Sequence, residues 1–169
     1  MLEAADVYLA AVKEQPPFTD VLTLVHAEAL GRFGGNGLGQ HFTPWDLADL
    51  KGELVADHYR RHPLATASPS LYEPTSGAGG LVLGQLRHWK GDLGSLRVVA
   101  NDLDPLCSAM TALQLLANQF VHNKPLRECA ITVGNALVSD EKLAFASVRK
   151  ATRDCDQQRN AEEAPMHAF

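Results

Sequence analysis

The residues best suited to do chemistry lie in one run, Glu73-Pro-Thr-Ser-Gly77-Ala-Gly79-Gly80, and in Asp102 downstream of it. Glycines one residue apart let a backbone turn tightly and approach a ligand closely. When a third glycine lies inside the following helix, such a turn is a dinucleotide fingerprint. Here that third position is Val82, and an acidic residue, Glu73, precedes the first glycine by four positions. A carboxylate there repels a pyrophosphate but suits an ammonium or sulfonium group. The pattern Glu-x-x-x-Gly-x-Gly therefore fits S-adenosylmethionine better than a nicotinamide dinucleotide. Asp102 stands where a carboxylate can accept hydrogen bonds from two ribose hydroxyls. A glycine turn that is only a tight connection, and acids that are only solvated, are the competing readings.

Other reactive side chains carry weaker signals. His58 and His62 have the i, i+4 spacing of helical metal ligands, but no His-Glu-x-x-His context or third ligand accompanies them. Arg60-Arg61-His62 and Arg87-His88-Lys90 read equally as phosphate contacts and as solvated helix ends. Trp45 reads as a packing residue, and Cys107 as a core or boundary thiol. The cysteines, Cys107, Cys129 and Cys155, are odd in number and far apart, which argues against a disulfide scaffold and fits a reducing cytoplasm.

The elements that must position these residues follow from hydrophobic periodicity and punctuation. A helix is predicted over residues 3–14, stopped by Gln15-Pro16-Pro17. A second, capped by Thr19 or Asp20, runs to about Leu30 with Val21, Leu24, Val25 and Ala29 on one face. A glycine-rich loop occupies residues 31–39. Thr43-Pro44 reads as N-cap and first helical residue of a helix to about Arg61, whose apolar face holds Leu47, Leu50, Leu54, Val55 and His58. The pattern then changes. Strands are predicted over 70–73, 96–101 and 129–133. Between them lie a helix with Val82, Leu86 and Trp89 aligned, and one opened by Pro105 with Leu106, Met110, Leu113, Ala117 and Phe120 aligned. Strands alternating with helices across short turns imply parallel pairing through right-handed crossovers. One modest helical segment is expected after Asp140, then a polar tail.

At this point the motifs resemble those of the adenine-specific (N6) DNA methyltransferases, notably the modification subunit of type I restriction systems. Gly39-Gln40-His41-Phe42-Thr43-Pro44 is similar to that family's G-Q-F-F-T-P segment, which contacts the methionine end of the cofactor. Glu73 through Gly80 resembles its D-P-A-C-G-S-G-G turn, and Asp102-Leu103-Asp104-Pro105 the acid and x-x-Pro that end its second strand. Gly134-Asn135-Ala136-Leu137 resembles the G-D-x-L after its third strand, with Asn135 replacing the acid that meets the adenine amine. The four motifs stand in the family's order over residues 36–138. The resemblance implies a Rossmann-like α/β methyltransferase fold holding S-adenosylmethionine through Gln40, Phe42, Thr43, Glu73, Thr75, Gly77, Gly79, Gly80, Asp102 and Asn135. It also implies DNA as a partner.

One departure bears on activity. The family's catalytic Asn-Pro-Pro-Phe tetrapeptide, or a relative of it, is expected on a fourth strand, and the sequence contains neither Asn-Pro-Pro nor Asp-Pro-Pro. The expectation is therefore a fold truncated to the first three parallel strands. An N-terminal helical segment (1–35) precedes a cofactor-binding domain (36–140), and a C-terminal helix and tail (141–169) follow. The first strand becomes an open sheet edge, to be covered by a partner subunit or a second copy. Besides a DNA-adenine methyltransferase lineage, the alternatives are a non-catalytic cofactor-binding regulator or accessory protein, and a methyltransferase for a non-DNA substrate. Composition bounds all of these. With 169 residues, 46% hydrophobic, the chain can bury one core. Lys+Arg 15 against Asp+Glu 20 gives a net charge of −5, so the chain is no general polyanion binder. No apolar run reaches the ~20 residues of a membrane-spanning helix.

Overall fold

The computed structural model describes residues 2–33, 40–62, 69–138 and 140–148. Its elements are α1 (Leu2–Glu14), α2 (Leu22–Phe33), α3 (Trp45–Arg61), β1 (Ser70–Glu73), α4 (Gly80–His88), a single 3-10 turn (Leu93–Ser95), β2 (Arg97–Asp102), α5 (Pro105–Val121), β3 (Glu128–Val133) and β4 (Lys142–Val148). The architecture is mixed α/β. The strands form one sheet in the order β1-β2-β3-β4, with β1, β2 and β3 parallel and β4 antiparallel to β3. Because β1, β2 and β3 step across the sheet in one direction, right-handed crossovers lay α4 and α5 on the same face. No helix among the described residues is long and apolar enough to cross a membrane.

The core lies between that face and the helices. Val82, Leu83 and Leu86 from α4 and Leu115 from α5 meet Val98, Ala100, Cys129 and Ile131 from the strands. Phe18, in the connection from α1 to α2, joins the same cluster, so the N-terminal helical segment shares the sheet's core. Helix α3 joins through α4. A Cβ on Gly52 would sit 2.1 Å from the Gly84 carbonyl oxygen, so the two helices touch backbone to backbone. Asp49 ties the crossing by accepting from Arg87 and His88 of α4.

Several expectations need correction. Lys142–Val148 is a strand, not a helix. Its Phe145 pairs in register with Ile131 and packs on the core, so pairing to an otherwise open β3 edge overrides the segment's weak helical preference. The rest of the expected C-terminal segment, with Cys155, lies outside the described residues, as does most of the glycine-rich loop. Thr43 does not cap α3: Pro44 is the N-cap, and no side chain bonds the first turn. Helices α2, α3 and α5 bury faces other than the apolar ones. Thr23 and His26 are buried while Leu24 and Val25 are exposed. In α3, Ala48 and Gly52 are buried while Leu47, Leu50 and Leu54 are exposed. In α5, of the five aligned apolar residues only Ala117 is buried. Among the described residues, β1 pairs on one side only, with β2.

Candidate functional site

The site forms where β1 and β2 end, between their C-terminal residues and the turn into α4. Gly77 and Gly79 both have positive φ, 54° and 100°, a region that a side chain makes costly. The two glycines face different ways. A Cβ on Gly79 would lie 3.2 Å from Thr111 Oγ1 of α5, whereas one on Gly77 would lie 3.0 Å from the Phe42 ring. Gly79 thus allows the turn to press on α5, and Gly77 is the glycine that meets the open side.

Both carboxylates are buried at this end of the sheet. Asp102 Oδ2 accepts from the Gly77 backbone N–H at 2.7 Å, and Oδ1 from the Asp104 N–H at 2.9 Å. Each oxygen keeps a second lone pair, so two acceptor positions remain for a pair of hydroxyls. Glu73, only 8% exposed, accepts from the Thr75 backbone N–H and hydroxyl through Oε1. Its Oε2 faces the Lys51 ammonium of α3 at 3.6 Å. That ion pair is absent from the sequence expectations, and it places a cation beside the carboxylate expected to attract one.

The approach from residues 40–44 is closed. Phe42 lies on Gly77 and meets His26 edge to face at 5.1 Å. His41, Phe42, Thr43, Thr23, Thr75 and Gly77 help line a cavity of about 50 Å³. Gln40 reaches elsewhere: its Nε2 donates to Asp104 Oδ2 at 3.0 Å and touches Cys107 Sγ, on the side where α5 begins. Burial, then the charges of Asp102 and Asp104, push the Cys107 thiol up to about 12, which keeps it protonated and unreactive at neutral pH. Gly80 opens α4 close to the Asp20 carboxylate, which a Cβ would meet at 2.9 Å. Asn135 lies beyond β3, whose last residue, Val133, pairs with Asp102. Its side-chain oxygen accepts from the Leu137 N–H in a local turn.

Sequence reasoning missed the residues that hold these parts together. Asn101 Nδ2 donates to the carbonyls of Pro74 and Gly134, and Oδ1 accepts from Thr132, bolting the exits of β1 and β3 to β2. Along α5, Ser108, Thr111, Gln114 and Asn118 form a buried polar stripe. Ser108 bonds the Thr132 carbonyl, Thr111 the Gly77 carbonyl, Gln114 the Ala78 carbonyl and the Asp20 carboxylate, and Asn118 accepts from Phe18 N–H. Their signal was legible as a second, polar periodicity at spacings of three and four.

The arginines of the basic clusters are paired internally. Arg60 and Arg61 both bond Asp57, and Arg87 bonds Thr19 and Asp49 while lying over the Trp45 ring. Trp45 packs against the core, as its position predicted. The His58 and His62 rings lie tilted by 39° with centroids 4.9 Å apart, and among the described residues no three His, Cys, Asp or Glu gather as metal ligands would. The exposed leucines of α3, with Lys51, Val55, His58 and Tyr59, line an apolar groove of about 380 Å³.

The two carboxylate acceptors suit a ligand with a cationic end and a vicinal diol, but the space differs: ligand pockets usually enclose ~300 Å³ or more. Room for one here requires Phe42 to leave Gly77. No family model and no curated protein matches this chain. Among solved structures, the small RNA methyltransferase HEN1 superposes with a TM-score of 0.38 and 14% identity, over 60% of this chain. The match spans 12% of the HEN1 chain.

Proposed function

We propose that this chain binds S-adenosylmethionine at the Gly77–Gly80 turn in a Rossmann-like methyltransferase fold, and that its lineage is that of the adenine-N6 DNA methyltransferases. One observation carries the reading. Two buried carboxylates, Glu73 and Asp102, flank a turn of positive-φ glycines, and Asp102 is bonded to the turn's own backbone at Gly77. In this reading Glu73 meets the α-amino group, Asp102 holds the ribose, and Phe42 and Thr43 cover the methionine side once Phe42 has moved aside. The cofactor would supply an electrophilic methyl group. The chain supplies no Asn-Pro-Pro or Asp-Pro-Pro to accept the hydrogens of an adenine amine, so the expected activity is binding without methylation of DNA adenine.

Calorimetric titration tests the reading. S-adenosylhomocysteine should bind and NAD should not; no heat with S-adenosylhomocysteine at millimolar concentration would overturn the site. Labelled-methyl transfer to duplex DNA should stay at the level of a no-protein blank. Robust incorporation into adenine would show that the chain carries acceptors of another kind.

A further inference from the structure

Helix α5 buries a polar stripe beside its apolar contacts Cys107, Leu115 and Ala117. Its polar residues Ser108, Thr111, Gln114 and Asn118 are buried and bonded, and its outward surface is apolar. Leu106 (54% exposed), Ala109, Leu113 (47%), Leu116 (38%) and Phe120 (82%) follow one another at spacings of 3, 4, 3 and 4. That is the a/d seam of a heptad, the pattern by which one helix packs along another. The buried hydrogen bonds fix the helix's rotation, so the seam cannot turn inward to escape water. A monomer that exposes such a contiguous apolar stripe ordinarily covers it with a partner.

Charge and size identify the occupant. No residue from Pro105 to Val121 is charged, in a chain of net charge −5. Two copies that repel elsewhere therefore meet no like charge along this helix. The seam is also self-complementary. In an antiparallel pair whose two-fold axis passes between Leu113 and Leu116, a and d positions face each other. Leu113 then packs on Leu116 of the other copy, and Ala109, the smallest seam residue, receives Phe120, the largest. We propose that the face of α5 is an isologous dimer interface between two copies of this chain, with the helices antiparallel in that register.

The 169-residue chain tests the proposal. Sedimentation should give a concentration-dependent dimer. Phe120→Glu, at a position exposed in the monomer, should give a monomer with unchanged circular dichroism. A wild-type chain that is monomeric at all concentrations overturns the proposal, as does a Phe120→Glu variant that still dimerises. The register is tested by cysteine pairing. Mixed Ala109→Cys and Phe120→Cys chains should oxidise to a hybrid disulfide-linked dimer, while neither alone should cross-link efficiently. Efficient linking of Phe120→Cys to itself would overturn the antiparallel register.

Discussion

Replacing Gln114 with leucine should loosen both the N-terminal segment and the glycine turn, because one side chain holds them together. Gln114 is fully buried. Its Oε1 accepts from the backbone N–H of Val21 at 2.9 Å and of Leu22 at 3.3 Å. Its Nε2 donates to Asp20 Oδ1 and to the Ala78 carbonyl, both at 2.8 Å. Leucine fills nearly the same volume, so the change removes hydrogen bonds without opening a large cavity. Leu22 and Asp20 keep each other, since Asp20 Oδ1 also accepts from Leu22 N–H and Thr23 N–H. The Val21 N–H and the Ala78 carbonyl lose the partner that Gln114 supplied. A buried polar group left unpaired costs ~1–3 kcal/mol, and with Ala78 buried and Val21 half-buried the two together predict a loss of about 3 kcal/mol. Against a usual total of ~5–15 kcal/mol that is a large fraction.

Urea unfolding of wild type and Gln114→Leu, compared at equal slope, reads this loss directly. Gln114→Glu supplies the control. At pH 8 a carboxylate there faces Asp20 and the Ala78 carbonyl, so the variant should be less stable than Gln114→Leu. On acidification the glutamic acid recovers a proton to donate, and the difference should shrink. A Gln114→Leu loss below about 1 kcal/mol would refute the accounting, since it would mean that neither orphaned group pays for desolvation. A Gln114→Glu penalty that does not change with pH would refute the assignment of Nε2 as the essential donor.

Two further outcomes follow from the site and a third from groups buried mostly elsewhere. Lys51→Met should raise affinity for S-adenosylhomocysteine about threefold, the scale of a partly exposed ion pair, by freeing Glu73, while leaving 5′-methylthioadenosine, which lacks the amino acid, unaffected; equal effects on the two ligands would remove Glu73 from the amine's contact. Binding of S-adenosylhomocysteine should alter amide exchange in residues 40–44, because Phe42 must leave Gly77; unaltered exchange alongside measurable binding would exclude that segment from the site. Burial raises Tyr8, Cys107 and Cys129 to about 12, with Asp20 adding to the Tyr8 shift. The unfolded chain therefore releases these protons first, and stability that is intact below about pH 9 should fall as pH rises towards 12. Tyr8→Phe should flatten the upper part of that slope, and an unchanged slope would show that Tyr8 titrates normally.

The order of strands and helices was legible because each carries local punctuation. Gln15-Pro16-Pro17 stops α1, Asp104-Pro105 opens α5, and Asp20 caps α2 through Leu22 and Thr23. The acids and glycines of the turn were legible for the same reason, since positive φ at Gly77 and Gly79 is a demand of the backbone that few residues meet. The strand Lys142–Val148 was not, because its pairing depends on the β3 edge and on Phe145 reaching the core. Nor was the Lys51–Glu73 pair, which joins residues brought together only when α3 crosses α4.

The helix faces show why hydrophobic periodicity alone misjudged the interior. Periodicity assumes that a helix buries its most apolar side, which holds when its neighbour is another apolar surface. Here the neighbours are exposed ends of backbone. The glycine turn presents carbonyls at Gly77 and Ala78, and the chain entering α2 presents N–H groups at Phe18, Val21 and Leu22. A buried backbone group must find a partner, so α5 turns Thr111, Gln114 and Asn118 towards them, keeps Leu115 in the core and leaves Leu106, Leu113 and Leu116 outward. In α3 the reason is different. Contact with the Gly84 backbone selects Gly52 and Ala48 for the inside because anything larger would hold the helices apart. Both choices displace leucines to the surface, onto the α3 groove and the α5 seam. The polar stripe that builds the candidate site and the apolar seam that would join two copies are thus opposite sides of one helix, fixed by the same hydrogen bonds.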